Sequence, residues 1–381
     1  MDTQPAKTGK KKYFESELVS YLSTTGEPIS SADGRMTIRV ARHYGFCHGV
    51  IRAIRMALDA TEKYAGRRTF LLGQIIHNPY VNEQLCKRGV TILDIPWESH
   101  LSSIEADDVV IVPAFGVSAE TMQRLRGIGC TIVDTACGEV MSVWKRIGRY
   151  NAAGFTTIIH GKAGHEETIA TSSRCERHIM VKDVKEAQVL AGYIRKGDPA
   201  QGQALLEHLG AQAHTEGFDP ARDLQYVGMA AQTTMYSSEF LKVSETVRAA
   251  VVDRYGESAA DHFRELDTIC SATQERQDAV SDLARRSDVV FVVGGYNSSN
   301  TTNLARVAGQ YAPAYHIQGS GQLTAEAIRH QPYGKKAEAV TTGWLPEKPQ
   351  VVIGMTSGAS TPDSVLEAVL HEVLALGKAQ P

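Results

Sequence analysis

Three cysteines share one local setting: each closes a short apolar strand pattern and opens an amphipathic helix pattern. The strand sides are Met36-Thr-Ile-Arg-Val-Ala-Arg-His-Tyr-Gly-Phe-Cys47, Thr131-Ile-Val-Asp-Thr-Ala-Cys137 and Leu266-Asp-Thr-Ile-Cys270. The helix sides begin at Gly49, Val140 and Ala272. A thiolate at a helix N-terminus is stabilised by the dipole and by backbone N–H groups that have no partner within the helix. Its pKa falls, and it becomes a better nucleophile or metal ligand. Three such positions from separate parts of a chain could converge on one metal centre. Spacing alone does not decide this, because no Cys-x-x-Cys pair gives zinc-finger or ferredoxin spacing. Three small buried hydrophobes are the competing reading. Of the other cysteines, Cys86 and Cys175 fall in helical or loop patterns and read as structural.

A second arrangement also recurs. Thr156–His160 is followed by Gly161-Lys-Ala-Gly-His165-Glu-Glu167-Thr. Val289–Val293 is followed by Gly294-Gly-Tyr-Asn-Ser298-Ser299-Asn300, and Val351–Met355 by Thr356-Ser-Gly-Ala-Ser360-Thr-Pro362. Each is strand, glycine with short hydroxyl or amide residues, then helix. Such loops turn backbone N–H groups and short donors towards an anion. One loop would be read as an ordinary N-cap; three shift the reading towards phosphate or diphosphate. None has the Gly-Lys-Ser/Thr spacing of a nucleotide phosphate loop. His165 could donate to an anion, and Glu167 could hold a transferable proton or simply favour a helix first turn. His77 stands where Pro79 opens a helix. Thr233 and Thr234 end a strand and serve either as N-caps or to orient a substrate hydroxyl. Pro362 suits a first helical position.

The elements that must position these residues alternate throughout. Strand patterns at Thr37–Ala41, Thr69–Leu72, Val109–Pro113, Thr131–Asp134, Thr156–His160, Tyr226–Met229, Val289–Val293 and Val351–Met355 are separated by helical patterns such as Met235–Val252 and Pro362–Leu376. That alternation predicts an α/β protein with mostly parallel sheets. The repeated cysteine setting suggests an N-terminal extension over 1–35 and three α/β lobes over 36–134, 135–265 and 266–377. The stretch 196–223 reads as an insertion with a weak helix rather than as core. A chain of 381 residues is long enough for two or three domains, at roughly 100–200 residues each. A net charge of −3 gives no reason to expect nucleic acid or membrane binding. No apolar run approaches the ~20 residues of a membrane span. Met1 to Lys12 reads as a solvated tail, not a signal peptide. The expected compartment is the reducing cytoplasm, where six cysteines stay out of disulfides.

Taken jointly, the stretches Tyr44-Gly-Phe-Cys47-His-Gly-Val, Ile75-Ile-His77-Asn-Pro, Pro113-Ala-Phe-Gly, Gly161-Lys-Ala-Gly-His165-Glu-Glu167-Thr, Gln232-Thr233-Thr, Cys270-Ser-Ala-Thr-Gln-Glu-Arg-Gln-Asp-Ala, Asn297-Ser-Ser-Asn300 and Gly358-Ala-Ser360-Thr-Pro-Asp resemble the 4-hydroxy-3-methylbut-2-enyl diphosphate reductases. They run in family order over about residues 36–377, and Pro113-Ala-Phe-Gly with the 196–223 insertion looks like the plant and cyanobacterial branch. The resemblance implies three α/β lobes in a pseudo-threefold arrangement around a central iron–sulfur cluster. It implies a 4Fe-4S cluster held by Cys47, Cys137 and Cys270, with one iron left open to substrate oxygen. His77, His165, Ser298, Ser299, Asn300 and Ser360 would contact the diphosphate region. Glu167 would supply the proton, and Thr233 would orient the substrate hydroxyl. The implied reaction is reductive dehydroxylation to isopentenyl and dimethylallyl diphosphates, with ferredoxin or flavodoxin as electron donor. Lys145, Arg146 and Arg149 are candidates for docking such an acidic donor, although a charged helix face is commonly just solvated.

Two positions depart from the family pattern. Phe115 stands where many members have a histidine, a difference the plant-like branch shares. After the second cysteine the family usually has proline; here Gly138-Glu139 follows, and an unscreened Glu139 should make the cluster harder to reduce. Drift at this cysteine motivates an alternative, a cluster-free diphosphate-binding or regulatory paralogue. A thiol-dependent hydrolase ranks last, because no Cys–His–Asn arrangement stands out.

Overall fold

The computed structural model describes residues 14–266 and 268–377; the stretch Met1 to Lys12 lies outside the described residues. The chain divides into two compact units. One takes the described residues of 1–48, 77–79 and 271–381, and the other residues 49–76 and 80–270.

The first unit is built on a five-stranded sheet. Its strand order is Ile29–Ser30, Met36–Val40, Val351–Ser357, Val289–Val293, Ala314–Ile317. All pairings are parallel except that of the first two strands. Val289-Val-Phe-Val-Val is buried at every position, as expected for a central parallel strand covered on both faces. Phe291, Ile353 and Met355 pack in one core with Leu366, Val369, Leu370 and Val373 of the helix Asp363–Leu376.

The region 1–35, expected as an extension, contributes to this lobe. Ser16 caps the helix Glu17–Thr25 by accepting from the Val19 N–H, and Gly26 ends it at φ 73°. Val19 and Leu22 enter the core.

The second unit carries two four-stranded sheets, parallel throughout. One has the order Val90–Leu93, Thr69–Leu72, Val109–Val112, Thr131–Asp134. The other has the order Phe263–Glu265, Val227–Ala231, Thr156–His160, His178–Val181. Three α/β lobes therefore follow from three sheets, two wholly and one mostly parallel. Among the described residues, no helix is long and apolar enough to cross a membrane.

Four sequence expectations change. The strand expected to open the first lobe, Met36–Val40, instead pairs with Val351–Ser357 at the other end of the chain. Its alternating burial shows a strand with a core face but says nothing about which neighbour completes its ladder. Thr233 and Thr234 are not N-caps: the strand ends at Ala231, and the helix Ser237–Tyr255 is preceded by Tyr236. Pro362 is the residue before the helix Asp363–Leu376 rather than its first turn. The 196–223 stretch is not peripheral, because Leu205 of the helix Gly202–Leu209 and Phe218 belong to the lobe core.

That stretch is anchored by Asp223. Its carboxylate is fully buried and meets the Arg177 Nε at 3.0 Å. It also accepts from the Arg222 Nε at 2.6 Å and from the Asp219 N–H at 2.9 Å. Burial alone would raise its pKa; the Arg222 hydrogen bond, the Asp219 N–H and the two guanidinium charges outweigh burial and hold it below the usual carboxylate value. A depressed pKa contributes stability above the unfolded-state value, and that stability disappears as pH falls through the folded-state value. Asp223→Ala is expected to cost about 1 kcal/mol at neutral pH, because it removes a charge-assisted acceptor while the half-exposed Arg177 and Arg222 guanidiniums return to water. Denaturant melts should show a wild-type advantage that is constant down to about pH 5 and shrinks below about pH 4.

Candidate active site

In the first unit, three neighbouring parallel strands deliver their C-terminal ends to one edge, where ligands of open α/β sheets bind. Met36–Val40 leads into the loop carrying Cys47, Val351–Ser357 into Gly358–Pro362, and Val289–Val293 into Gly294–Ser298. The Cys47 arm lies against the middle loop: the Gly45 N–H donates to the Ser357 Oγ at 3.0 Å, and the Cys47 N–H donates to the Ala359 carbonyl at 3.4 Å. Cys47 is half-buried and immediately precedes the helix His48–Lys63.

The other two loops form a cradle. Ser298 caps the helix Ser299–Ala308, its hydroxyl accepting from the Thr301 N–H. The Ser360 hydroxyl donates to the Ser298 Oγ at 3.2 Å. The Asn300 Oδ1 accepts from the Ala359 N–H at 2.9 Å, which fixes the amide's orientation. Its Nδ2, the Ser299 Oγ and the Thr301 Oγ1 are buried with no hydrogen-bond partner among the described residues. Unpaired buried donors cost about 1–3 kcal/mol each, so three within one helical turn mark a site that an anionic ligand would complete.

Backbone approach is tight at this edge. A Cβ on Gly295 would lie 2.5 Å from the His77 carbonyl oxygen, and one on Gly358 would lie 1.9 Å from the Thr301 Oγ1. Neither contact was legible in the sequence, where both glycines read only as turn residues. Beneath the loop, His316 Nε2 lies 3.1 Å from the Gly294 carbonyl. Burial pushes the His316 pKa down to about 4, so the ring stays neutral near pH 7 and donates to that carbonyl. His77 is buried, as is its neighbour Asn78.

In the second unit, His165 precedes the short helix Glu166–Ser172, and its Nδ1 accepts from the Glu167 N–H at 3.1 Å. That bond assigns the proton of the neutral ring to Nε2, which is then a donor. The His165 ring meets Phe115 edge-on, with centroids 5.7 Å apart. Glu167 is 3 % exposed, and its Oε1 accepts from the Thr233 N–H at 2.6 Å. The Thr233 carbonyl in turn accepts from the Cys270 N–H at 3.3 Å. A buried carboxyl is thus connected to the Cys270 backbone through one residue. The sequence reading grouped Glu167 and Thr233 only through family resemblance, because the strand pairing that brings their loops together is not a local signal.

Cys137 is half-buried and immediately precedes the helix Gly138–Ala152; its N–H donates to the Ala114 carbonyl at 2.9 Å. The Arg52 guanidinium donates to the Ala136 carbonyl beside it at 3.0 Å. A Cβ on Gly138 would meet nothing within 4 Å. Glu139 is exposed, so its charge is in contact with screening solvent.

No disulfide joins any of the six cysteines. Cys47, Cys137 and Cys270 are all half-buried at helix starts, a soft-donor set that suits iron–sulfur ligation. Cys175 and Cys130 differ. Burial pushes the Cys175 thiol up to about 12 and raises that of Cys130, so both are inert. Cys86 ends the helix Pro79–Cys86 and is exposed.

Parallel-sheet lobes, with a hydroxyl and amide cradle at one sheet edge and thiols at helix starts, define an α/β protein. The profile of the LytB protein family matches residues 38–374. A 4-hydroxy-3-methylbut-2-enyl diphosphate reductase of Gloeobacter violaceus is 42 % identical over 377 residues, covering 96 % of this chain and 88 % of its own length. One of Synechocystis is 40 % identical and covers 97 % of both chains. A solved structure of this reductase, described as the terminal enzyme of the non-mevalonate pathway, superposes with a TM-score of 0.52 at 26 % identity, covering 90 % of this chain and 99 % of its own. The Plasmodium falciparum reductase structure shares the fold, with a TM-score of 0.65 at 19 % identity over 88 % of this chain and 87 % of its own. The chain belongs to the LytB family.

The cradle makes a direct prediction. Asn300→Asp keeps the Ala359 N–H acceptor and replaces the buried Nδ2 donor with an acceptor. Calorimetry should show inorganic pyrophosphate binding about 10- to 100-fold more weakly than to wild type.

Proposed function

We propose that this protein is a 4-hydroxy-3-methylbut-2-enyl diphosphate reductase, forming isopentenyl and dimethylallyl diphosphates. The observation that carries the reading is the cluster of buried, unpartnered donors on Ser299 and Asn300, on the same sheet edge as the Cys47 arm. The cluster-free paralogue is disfavoured by the half-buried setting common to all three cysteines.

Cys47, Cys137 and Cys270 would hold a 4Fe-4S cluster. When bound, it supplies electrons one at a time and a Lewis-acidic iron. Reduction consumes two electrons and two protons: one proton leaves with the hydroxyl as water, and the other ends on carbon. Ser298, Ser299, Asn300 and Ser360 hold the diphosphate, with His77 and His165 as further donors. Anchoring the distant charged end fixes where the reacting carbon sits. Glu167 is the proton store. The Thr233 N–H pins one of its oxygens, and burial keeps the group out of exchange with bulk water. The Thr233 side chain orients the substrate hydroxyl. Thiols that must stay reduced fit a cytoplasmic location.

The test is anaerobic turnover of reconstituted protein with reduced methyl viologen and the hydroxymethylbutenyl diphosphate. Viologen oxidation with formation of both products is expected. Absence of turnover from protein with a full cluster would reject the reading. Glu167→Gln should lower kcat by about 100-fold or more while leaving substrate affinity near wild type, as loss of a general acid requires.

The electron donor is read as a ferredoxin or flavodoxin, both acidic. Lys145 and Arg149 lie exposed on the helix that begins directly after Cys137, with Arg146 between them. Reversing two charges, as Lys145→Glu with Arg149→Glu, should raise KM for a protein donor roughly tenfold at low salt. It should leave the viologen rate unchanged. An equal effect on both donors would remove these residues from the docking surface.

A further inference from the structure

The helix Ser271–Ala284 carries Arg276, a charged residue only 5 % exposed. Its Nη1 donates back to the Ala272 carbonyl of its own helix at 2.8 Å. The rest of the guanidinium faces the chain just before Cys47. Nε and Nη2 donate to the Gly45 carbonyl at 3.1 and 2.9 Å, and Nη2 also reaches the Tyr44 carbonyl at 3.1 Å. Two successive carbonyls can face one guanidinium only if the residue between them turns the chain. Gly45 does so at φ 62°. A side chain there would also meet the Asp363 carboxylate, with Cβ 2.5 Å from Oδ1.

The same peptide is held from its other side. The Gly45 N–H donates to the Ser357 hydroxyl, and two residues later the Cys47 N–H donates to Ala359. Four residues therefore leave the sheet with few torsions free before the thiol. A buried guanidinium with a planar fork of donors is suited to fixing two acceptors at once, which a lysine cannot reproduce.

We infer that Arg276 is a positioning residue for Cys47: its guanidinium clamps the Tyr44 and Gly45 carbonyls and so fixes where the Cys47 sulfur stands. This rests on the reading of Cys47 as a cluster ligand. Loss of the fork leaves the thiol wandering over a wider arc, so the bond it makes is longer-lived only when the clamp is intact.

The full-length protein is reconstituted anaerobically as wild type, Arg276→Lys and Cys47→Ser. Three quantities are read: iron per chain, the electron paramagnetic resonance g-values of the reduced protein, and the rate of iron loss to a chelator. Arg276→Lys is expected to load iron, to shift or broaden the g-values, and to lose iron about tenfold faster, the equivalent of one charge-assisted hydrogen bond. Cys47→Ser should lose iron faster still. A lower melting temperature for Arg276→Lys with unchanged g-values and an unchanged iron-loss rate would reduce Arg276 to an ordinary structural arginine and overturn the proposal. Wild-type behaviour of Cys47→Ser would overturn the cluster-ligand reading itself, and the proposal with it. If Arg276→Lys yields no folded protein, Ser357→Ala removes one hydrogen bond from the same peptide. It should move the same two signals in the same direction; no movement again overturns the proposal.

Discussion

The parallel pairing of Met36–Val40 with Val351–Ser357 is the constraint on which the candidate chemistry rests. The register runs from Met36 opposite Val351 to Val40 opposite Met355, so nearly the whole chain lies between partners. Val351–Ser357 also pairs with Val289–Val293, which places three loops side by side. Because the strands are parallel, all three loops leave from the same edge. The Cys47 arm, the Ser360 loop and the Ser298–Asn300 loop are neighbours for that reason alone. A slip of one residue would turn the buried face of Met36–Val40 outwards, so the hydrophobic core itself enforces that alignment.

Around that edge, polarity is managed by backbone rather than by side-chain charge. The Ala359 N–H orients Asn300, Ser298 caps its own helix while accepting from Ser360, and neutral His316 supports the Gly294 carbonyl. The cation close by, Arg276, is spent on carbonyls of the Cys47 arm. The other unit uses the same device, with the Thr233 backbone linking Glu167 to Cys270. Rigid backbone donors need no reorganisation when charge moves, which is what preorganised catalysis demands.

Much of this was legible in the sequence, and the reason differs from element to element. Val289–Val293 and Thr156–His160 were readable to the residue, because continuous β-branched runs bounded by glycine permit little else. The anion loops and the helix-start cysteines were visible as local patterns. The edge strands His178–Val181 and Phe263–Glu265 were not, since short mixed segments are decided by the neighbour they pair with. Partner choice for Met36–Val40 was hidden for the same reason. The 196–223 stretch looked peripheral because it is rich in Gly, Ala, Gln and His; the burial of Asp223 at its end is made tolerable by two arginines. Arg276 lay in a stretch quoted for its cysteine, and nothing local showed that its side chain turns back to the Tyr44 and Gly45 carbonyls.

The most direct test of the account is Mössbauer spectroscopy of the reconstituted protein, with and without 4-hydroxy-3-methylbut-2-enyl diphosphate. The proposed ligation of a 4Fe-4S cluster by Cys47, Cys137 and Cys270 predicts one iron distinct from the other three, and only that iron should change when substrate is added. Asn300→Asp should need more substrate to produce the same change. Four equivalent irons, or a spectrum indifferent to substrate, would contradict the account.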